Sequence, residues 1–259
     1  MLTDFLPWIK RWALTPDGEP FVTAYSQSRL LPVRHSGRAA MLKLAVSDDE
    51  RRGSTIMAWW DGRGAAPVLR HADNALLMAR GEGVRSLAEA PDEVALPILC
   101  GVAAALHARR PDPPSVPPLA QLFPALLDGG EPRLEGARRI ARELLATTCD
   151  EVLLHADIHH SNVLDFGDEG WLAIDPWGYR GERAYDYANV LRNPNLVRVT
   201  EPGRFDSGRA LIAEAAGLDP ERLLRWIYAH AGLAASWDLM DGQKPDRSFA
   251  VLELAEARL

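Results

Sequence analysis

The stretch His155-Ala156-Asp157-Ile158-His159-His160-Ser161-Asn162 is the densest polar run in the chain, and it lies between the apolar pieces Val152-Leu153-Leu154 and Val163-Leu164. A polar loop fixed between two strand-like segments is the usual way a rigid scaffold presents a site. Thirteen residues past Asn162 comes a second acid, Asp175, which ends another apolar run in Trp171-Leu172-Ala173-Ile174-Asp175-Pro176-Trp177-Gly178. Three readings compete for this set. Phosphoryl transfer needs an acid that orients an attacking hydroxyl and takes its proton, with oxygen ligands for magnesium beside the phosphates. His-x-Asp with an Asn five residues after the Asp, then a strand-borne Asp before a Gly-containing turn, supplies those roles together. A zinc or transition-metal site would draw on His155, Asp157 and one of His159 or His160, but it lacks a clear fourth ligand and a glutamate base. The third reading is a loop whose polar groups merely satisfy one another. The first uses most of the residues and is favoured.

Upstream, the first 83 residues read mostly as short extended runs: 21–25, 30–35 and 39–46, with a hairpin turn at Ser36-Gly37-Arg38. Pro32 places the second run at an edge or a bulge, because proline cannot donate to a ladder. A helix is expected over 47–60, opened by Ser47-Asp48-Asp49-Glu50 and stopped by Asp61-Gly62-Arg63-Gly64. Two further strands, 68–71 and 76–80, complete a small mixed sheet with one helix. From Arg85 the period changes to that of helices. Ala95, Ile98, Leu99, Val102 and Leu106 form one stripe, and Leu134, Ala137, Ile140, Ala141, Leu144 and Leu145 form another. Five prolines within 111–118 mark a loop. Asp219-Pro220 starts a helix with the stripe Leu223, Trp226, Ile227, His230, Leu233, Ala234, Trp237 and Met240, and aromatic residues at this spacing are expected in a core.

His155-x-Asp157-x-x-x-x-Asn162 followed by Ile174-Asp175-Pro176-x-Gly178 resembles the aminoglycoside phosphotransferase branch of the protein-kinase-like fold, and the two elements correspond to the catalytic loop and the Asp-Phe-Gly triplet of protein kinases. More narrowly, residues 154–162, 170–176 and 181–186 are similar to the streptomycin 6-phosphotransferase and hydroxyurea-resistance kinase group, and the close likeness runs from about Leu153 to Asn189. The resemblance implies an α+β, bilobal fold, with a small mixed-sheet lobe over residues 1–82 that binds nucleotide and a larger, mostly helical lobe over 83–259 that carries catalysis and the acceptor. It implies ATP and Mg2+ as cofactors. Asp157 positions the acceptor hydroxyl and takes its proton, Asn162 and Asp175 bind magnesium, and Lys43, inside the run 40–46, holds the non-transferred phosphates. Glu50 on the following helix is the expected partner of Lys43, with Asp49 as the alternative and a plain first-turn acid as the bland reading. Backbone groups near Met78 and Arg80 are expected at the adenine edge, and Asp186 is expected to anchor the catalytic loop or simply to cap a helix. His155 is expected to pack in and orient the loop, while His159 and His160 border the acceptor. The chain has no GxGxxG; its turn Tyr25-Ser26-Gln27-Ser28-Arg29 instead offers hydroxyl groups, with Ser28 facing the phosphates, and the pairs Gly62/Gly64 and Gly81/Gly83 lack the context of a dinucleotide site.

Composition fits this reading and narrows the rest. The 259 residues are 47% apolar and carry 29 basic against 36 acidic side chains, for a net charge of −7. That balance gives no pull toward nucleic acid or anionic lipid, so neither a nucleic-acid nor a membrane partner is expected, and the resemblance implies a small hydroxylated acceptor instead. Cys100 and Cys149 suggest reduced thiols rather than a disulfide framework, and the first 12 residues lack a signal peptide's apolar core, so a cytoplasmic protein is expected. A cationic aminoglycoside suits the acidic balance, yet residues 219–259 hold seven acids and five bases, which also leaves a neutral hydroxyl or hydroxylamino compound open. A nucleotide-binding pseudokinase and a metal hydrolase are the rivals from other classes.

Overall fold

Two faces of one sheet decide how the N-terminal part is built. In the computed structural model, which describes residues 1–23 and 28–259, the chain opens with α1 (Leu2–Arg11), then β1 (Thr15–Pro16), β2 (Phe21–Val22), β3 (Arg29–His35), β4 (Arg38–Leu44), α2 (Asp48–Trp60), β5 (Val68–Ala72) and β6 (Ala75–Ala79). The sheet runs β1-β3-β4-β6-β5 with β2 also beside β3. Every pairing is antiparallel, where a mixed sheet was expected. The reason is local: β3 and β4 are joined by the tight turn Ser36-Gly37, both at positive φ, as a two-residue hairpin requires. Alternation then sorts the side chains. Ala40, Leu42, Leu44, Ala75 and Leu77 bury one face together with Phe5 and Leu14, whereas Met41, Lys43, Leu76 and Met78 take the other face in the register Met41↔Met78 and Lys43↔Leu76.

α1 is a second helix in a region where one was expected. Phe5, Trp8, Ile9 and Trp12 repeat at helical spacing and cover the outer sheet face, with Phe5 fully buried. Pro32 is not on an edge strand, since β3 has β4 on one side and β1 and β2 on the other; it falls in the gap between those two-residue stubs, where its carbonyl accepts from Asp17 N at 2.9 Å.

Beyond the sheet come α3 (Asp92–His107), α4 (Pro124–Leu127), α5 (Glu135–Ala146), the strands β7 (Glu151–Leu154), β8 (Val163–Asp165), β9 (Trp171–Ala173) and β10 (Tyr179–Glu182), then α6 (Ala184–Ala188), α7 (Leu196–Val199), α8 (Arg204–Ala216), α9 (Pro220–Met240) and α10 (Asp246–Glu256). The helical stripes meet in one core that includes Leu99, Leu106, Ile140, Leu144, Trp226 and Ile227. Met240, the last member of the expected α9 stripe, lies in solvent at 72% exposure, because the helix has by then run past the core. β7 pairs with β10 and β8 with β9, two small ladders that hold the polar loop and the Asp175 turn at their ends. Among the described residues no helix is long and apolar enough to cross a membrane.

The crossing from sheet to helices is clamped rather than loose. Gly83 N donates to Asp165 O at 3.1 Å, and Arg85 grips the Asp165 carboxylate through Nε at 2.8 Å and a terminal nitrogen at 2.7 Å. That bidentate grip holds the buried Asp165 carboxyl below the ordinary aspartate range. Position 83 must be glycine, because a Cβ there would stand 2.1 Å from Asp165 Cγ. Gly83→Ala is therefore expected to cost about 1–3 kcal/mol of stability in urea denaturation. A change below about 0.5 kcal/mol would show that the clamp yields without cost.

Candidate active site

The polar loop takes its shape from one buried carboxylate. Asp186, 1% exposed on α6, accepts from His155 N at 2.9 Å and Ala156 N at 2.7 Å, and lies 2.8 Å from His107 Nε2. These bonds hold Ala156 at φ +69°, a left-handed conformation that costs a non-glycine residue about 1 kcal/mol or more. His155 follows. Its Nδ1 accepts from Asp157 N at 3.2 Å, so Nε2 carries the proton and donates to Ile174 O at 2.8 Å, while the ring stacks on Trp60 at 6.1 Å. Burial pushes this imidazole toward its neutral form, against the pull of Asp186 and Asp157.

Asp157, presented by that loop, holds its carboxylate between two side-chain amides. Asn162 Nδ2 donates to Oδ2 at 3.0 Å and to the Asp157 main-chain carbonyl at 2.9 Å, and Asn189 Nδ2 donates to Oδ1 at 3.1 Å. The first pair fixes the Asn162 amide so that its own Oδ1 accepts none of the described hydrogen bonds. Asn162 O in turn accepts from Ile174 N at 2.9 Å, which ties the loop to the strand end bearing Asp175. Asp175 sits at φ +59° and forms an ion pair with Lys43 Nζ. Lys43, Asp157, Asn162 and Asp175 thus belong to one connected network. The side-chain oxygens of Asn162 and Asp175 are donors of the hard type that magnesium prefers, an ion that needs few protein ligands.

Two expectations need correction. The partner of Lys43 is Asp175; an ion pair of Lys43 with Glu50 or Asp49 is not found among the described residues. Glu50 instead caps backbone, accepting from Val46 N at 2.7 Å and Ser28 N at 3.1 Å, while its own amide donates to Ser47 Oγ at 3.3 Å. Placed only three residues past the helix cap, it serves the unsatisfied amides of that end. Asp49 pairs with Arg52. At the hinge, Met78 is buried on the face shared with Lys43, but the Arg80 amide is already committed to Ala39 O at 3.3 Å and its guanidinium to Asp17 at 2.6 Å. The Arg80 carbonyl, not its amide, is what that residue leaves for a ligand. Of the expected phosphate-side turn, Ser28 is buried and residues 25–27 lie outside the described part.

The model of the aminoglycoside/hydroxyurea antibiotic resistance kinase family matches residues 11–242. The chain belongs to that family. It is 46% identical over 246 residues to streptomycin 3''-kinase of Klebsiella pneumoniae, covering 90% of this chain and 92% of that protein. It is 31% identical to hydroxyurea phosphotransferase of Kitasatospora aureofaciens (97% of this chain, 77% of that one) and 31% identical to streptomycin 6-kinase of Streptomyces griseus (90% and 81%). Its fold is shared with aminoglycoside phosphotransferase APH(4)-Ia, at TM-score 0.66 and 18% identity over 99% of this chain and 95% of that one. Choline kinase LicA from Streptococcus pneumoniae is similar at TM-score 0.69 and 11% identity, over 99% and 98%. The chain is accordingly a kinase of the bilobal, protein-kinase-like class.

In this kinase the wall that joins both motif loops is α2, which the sequence reading cast only as the carrier of Glu50. Arg52 Nε donates to Trp177 O at 2.9 Å and Gly178 O at 3.0 Å, just past Asp175. One residue on, a Cβ at Gly53 would come 2.3 Å from Pro176 O, so only glycine lets the turn lie against the helix. Trp60, two turns further, carries the stack on His155 and donates Nε1 to Leu106 O at 3.2 Å. Asn189 and His107 were also missed. The signal for Asn189 was present as Asp186-x-x-Asn189, two polar residues one helical turn apart in an otherwise apolar segment.

Three histidines near the site are held neutral by burial: His155, His160 at about 4 and His230 at about 3. A histidine whose folded pKa is depressed binds its proton more readily in the unfolded chain, so stability present above the unfolded value near 6.5 is lost as pH falls below it. His160 and His230 each add a slope of up to about 1.4 kcal/mol per pH unit between about pH 6.5 and 5. His160→Gln is expected to flatten the fall in urea midpoint between pH 7 and 5; an unchanged slope would show that His160 is protonated without cost in the folded protein.

Proposed function

We propose that this chain transfers the γ-phosphoryl group of ATP to a hydroxyl of a streptomycin-type aminoglycoside. The observation that carries the reading is the single network in which Asn162 links Asp157 to the strand end bearing Asp175, and Asp175 meets Lys43. The relatives support this acceptor class, since a streptomycin 3''-kinase is 46% identical and the 6-kinases 31%. The match to a hydroxyurea phosphotransferase over 97% of this chain favours hydroxyurea as the second acceptor.

In this reading Asp157, held by two amides and still 25% exposed, orients the acceptor hydroxyl and receives its proton. Lys43 takes the non-transferred phosphates, exchanging its bond to Asp175 for them. Asn162 Oδ1 and Asp175 hold magnesium, which supplies charge neutralisation on the phosphates. The nucleotide lobe spans 1–82 and the acceptor lobe 83–259. The acceptor wall is Trp177 and Trp237, edge to face at 5.4 Å and both partly exposed, next to Asp238. Asp238 is fixed by Ser248 Oγ at 2.6 Å and Arg192 at 3.5 Å, and Arg192 also feels the charge of Asp157. Aromatic side chains and a held carboxylate suit a ring sugar bearing cationic groups.

The test is phosphate transfer from radiolabelled ATP to streptomycin and, separately, to hydroxyurea, with magnesium present. Asp157→Ala is expected to lower kcat by about 10²–10⁴ and Asp175→Ala to abolish transfer, with both variants unfolding at wild-type urea concentrations within error. Near wild-type turnover by either variant would refute these roles.

A further inference from the structure

The amide of Asn189 is oriented before any ligand arrives. Asn193 Nδ2 donates to Asn189 Oδ1 at 3.2 Å and to Asn189 O at 3.0 Å, so the oxygen of the Asn189 side chain faces Asn193 and its nitrogen must face Asp157 Oδ1, 3.1 Å away. Both asparagines are buried, at 4% and 7% exposure. The Asn193 carbonyl is itself pinned by Arg204 at 2.7 Å, and Arg204 is held by Asp92 at 2.6 Å. The chain of bonds Asp92, Arg204, Asn193, Asn189, Asp157 therefore runs from the start of α3 to the carboxylate, and every side chain in it is wholly or mostly buried.

We infer that Asn189 is a positioning residue for Asp157: it fixes the carboxylate's rotamer so that the acceptor hydroxyl meets a set oxygen. This rests on the reading of Asp157 as the proton acceptor. Without Asn189, Asp157 would be held on its side chain by Asn162, which also has a metal to serve, and by His159 at 3.6 Å. A buried amide used this way gives direction at little cost in entropy, since its own torsions are already locked. The division of labour falls within one turn of chain: Asp186 holds the backbone of the loop and Asn189, three residues on, holds its reactive side chain.

The experiment is steady-state kinetics with MgATP and streptomycin on the wild type, Asn189→Leu, Asn189→Asp and Asp157→Ala. Asn189→Leu is expected to lower kcat about ten- to a hundredfold with the KM for ATP within about twofold, because misplacing a reacting group costs turnover and not nucleotide binding. Asn189→Asp keeps the size and the bond from Asn193 but sets a carboxylate against Asp157; its kcat should rise relative to wild type as pH is lowered from 8 to 6, where the pair shares a proton and the donor is restored. A residue needed only for packing would show no such recovery. If Asp157→Ala is inactive while Asn189→Leu keeps kcat within about twofold, or Asn189→Asp shows no acid recovery, positioning is refuted and the role of Asp157 stands. If Asp157→Ala remains active, or the wild type phosphorylates neither streptomycin nor hydroxyurea, the underlying reading fails and the inference with it.

Discussion

A buried carboxylate that is fully satisfied is the constraint on which the site depends. Asp186 has almost no contact with water, so its charge is tolerable only because two backbone amides and His107 converge on it. Those bonds stabilise the left-handed turn at Ala156, and that turn directs His155 inward and Asp157 outward from either side of it in one loop. His155, locked by Asp157 N and Ile174 O, passes the constraint to the strand end that bears Asp175. Removing Asp186 would leave two buried amides unpaired and a strained turn with nothing to hold it, a loss far greater than one hydrogen bond.

The second constraint is the face of α2 that carries Gly53, Ile56 and Trp60. The helix lies on the Asp175 turn through the missing side chain of Gly53 and the donor Arg52, and on the polar loop through Trp60. Its start is fixed to the sheet by Glu50, which caps Val46 and Ser28. Tilting α2 would thus disturb sheet, loop and turn together. In the structure this coupling stands where an ion pair between Lys43 and the helix was expected, and Lys43 is left to span the cleft to Asp175.

How much of this was legible from sequence follows from how local each signal is. The pair His155-x-Asp157-x-x-x-x-Asn162 and Asp175-x-x-Gly178 carried the resemblance, and the resemblance implied the fold, because both motifs lie in single short loops. The α5 stripe Leu134, Ala137, Ile140, Ala141, Leu144 and Leu145 was equally local, and all of it lies in the core except the half-buried Leu145. α1 gives a weak signal because Asp4, Lys10 and Arg11 break its apolar run, although Phe5, Trp8, Ile9 and Trp12 keep helical spacing. The role of Glu50 could not be read because it turns on the geometry of a helix start, where two capping bonds outweigh a distant ammonium. The relay through Asn189 and Asn193 joins residues distant in sequence to Asp157, and only the fold brings them together.

The same geometry weighs against the zinc-hydrolase reading. A site built from His155, Asp157 and His159 or His160 needs imidazole nitrogens with free lone pairs converging on one point. His155 has none to give: Nδ1 accepts from Asp157 N and Nε2 carries the proton toward Ile174 O, so ligation would break the bonds that shape the loop. His160 is buried with neither ring nitrogen bonded, and no group of three or more His, Cys, Asp and Glu converges among the described residues. What the loop does present is oxygen: a carboxylate oriented by two amides, and an asparagine whose nitrogen is committed and whose oxygen is not. An oxygen donor set beside a lysine suits magnesium and phosphate, whereas a nitrogen-seeking metal would find the His155 imidazole already spent on holding the loop.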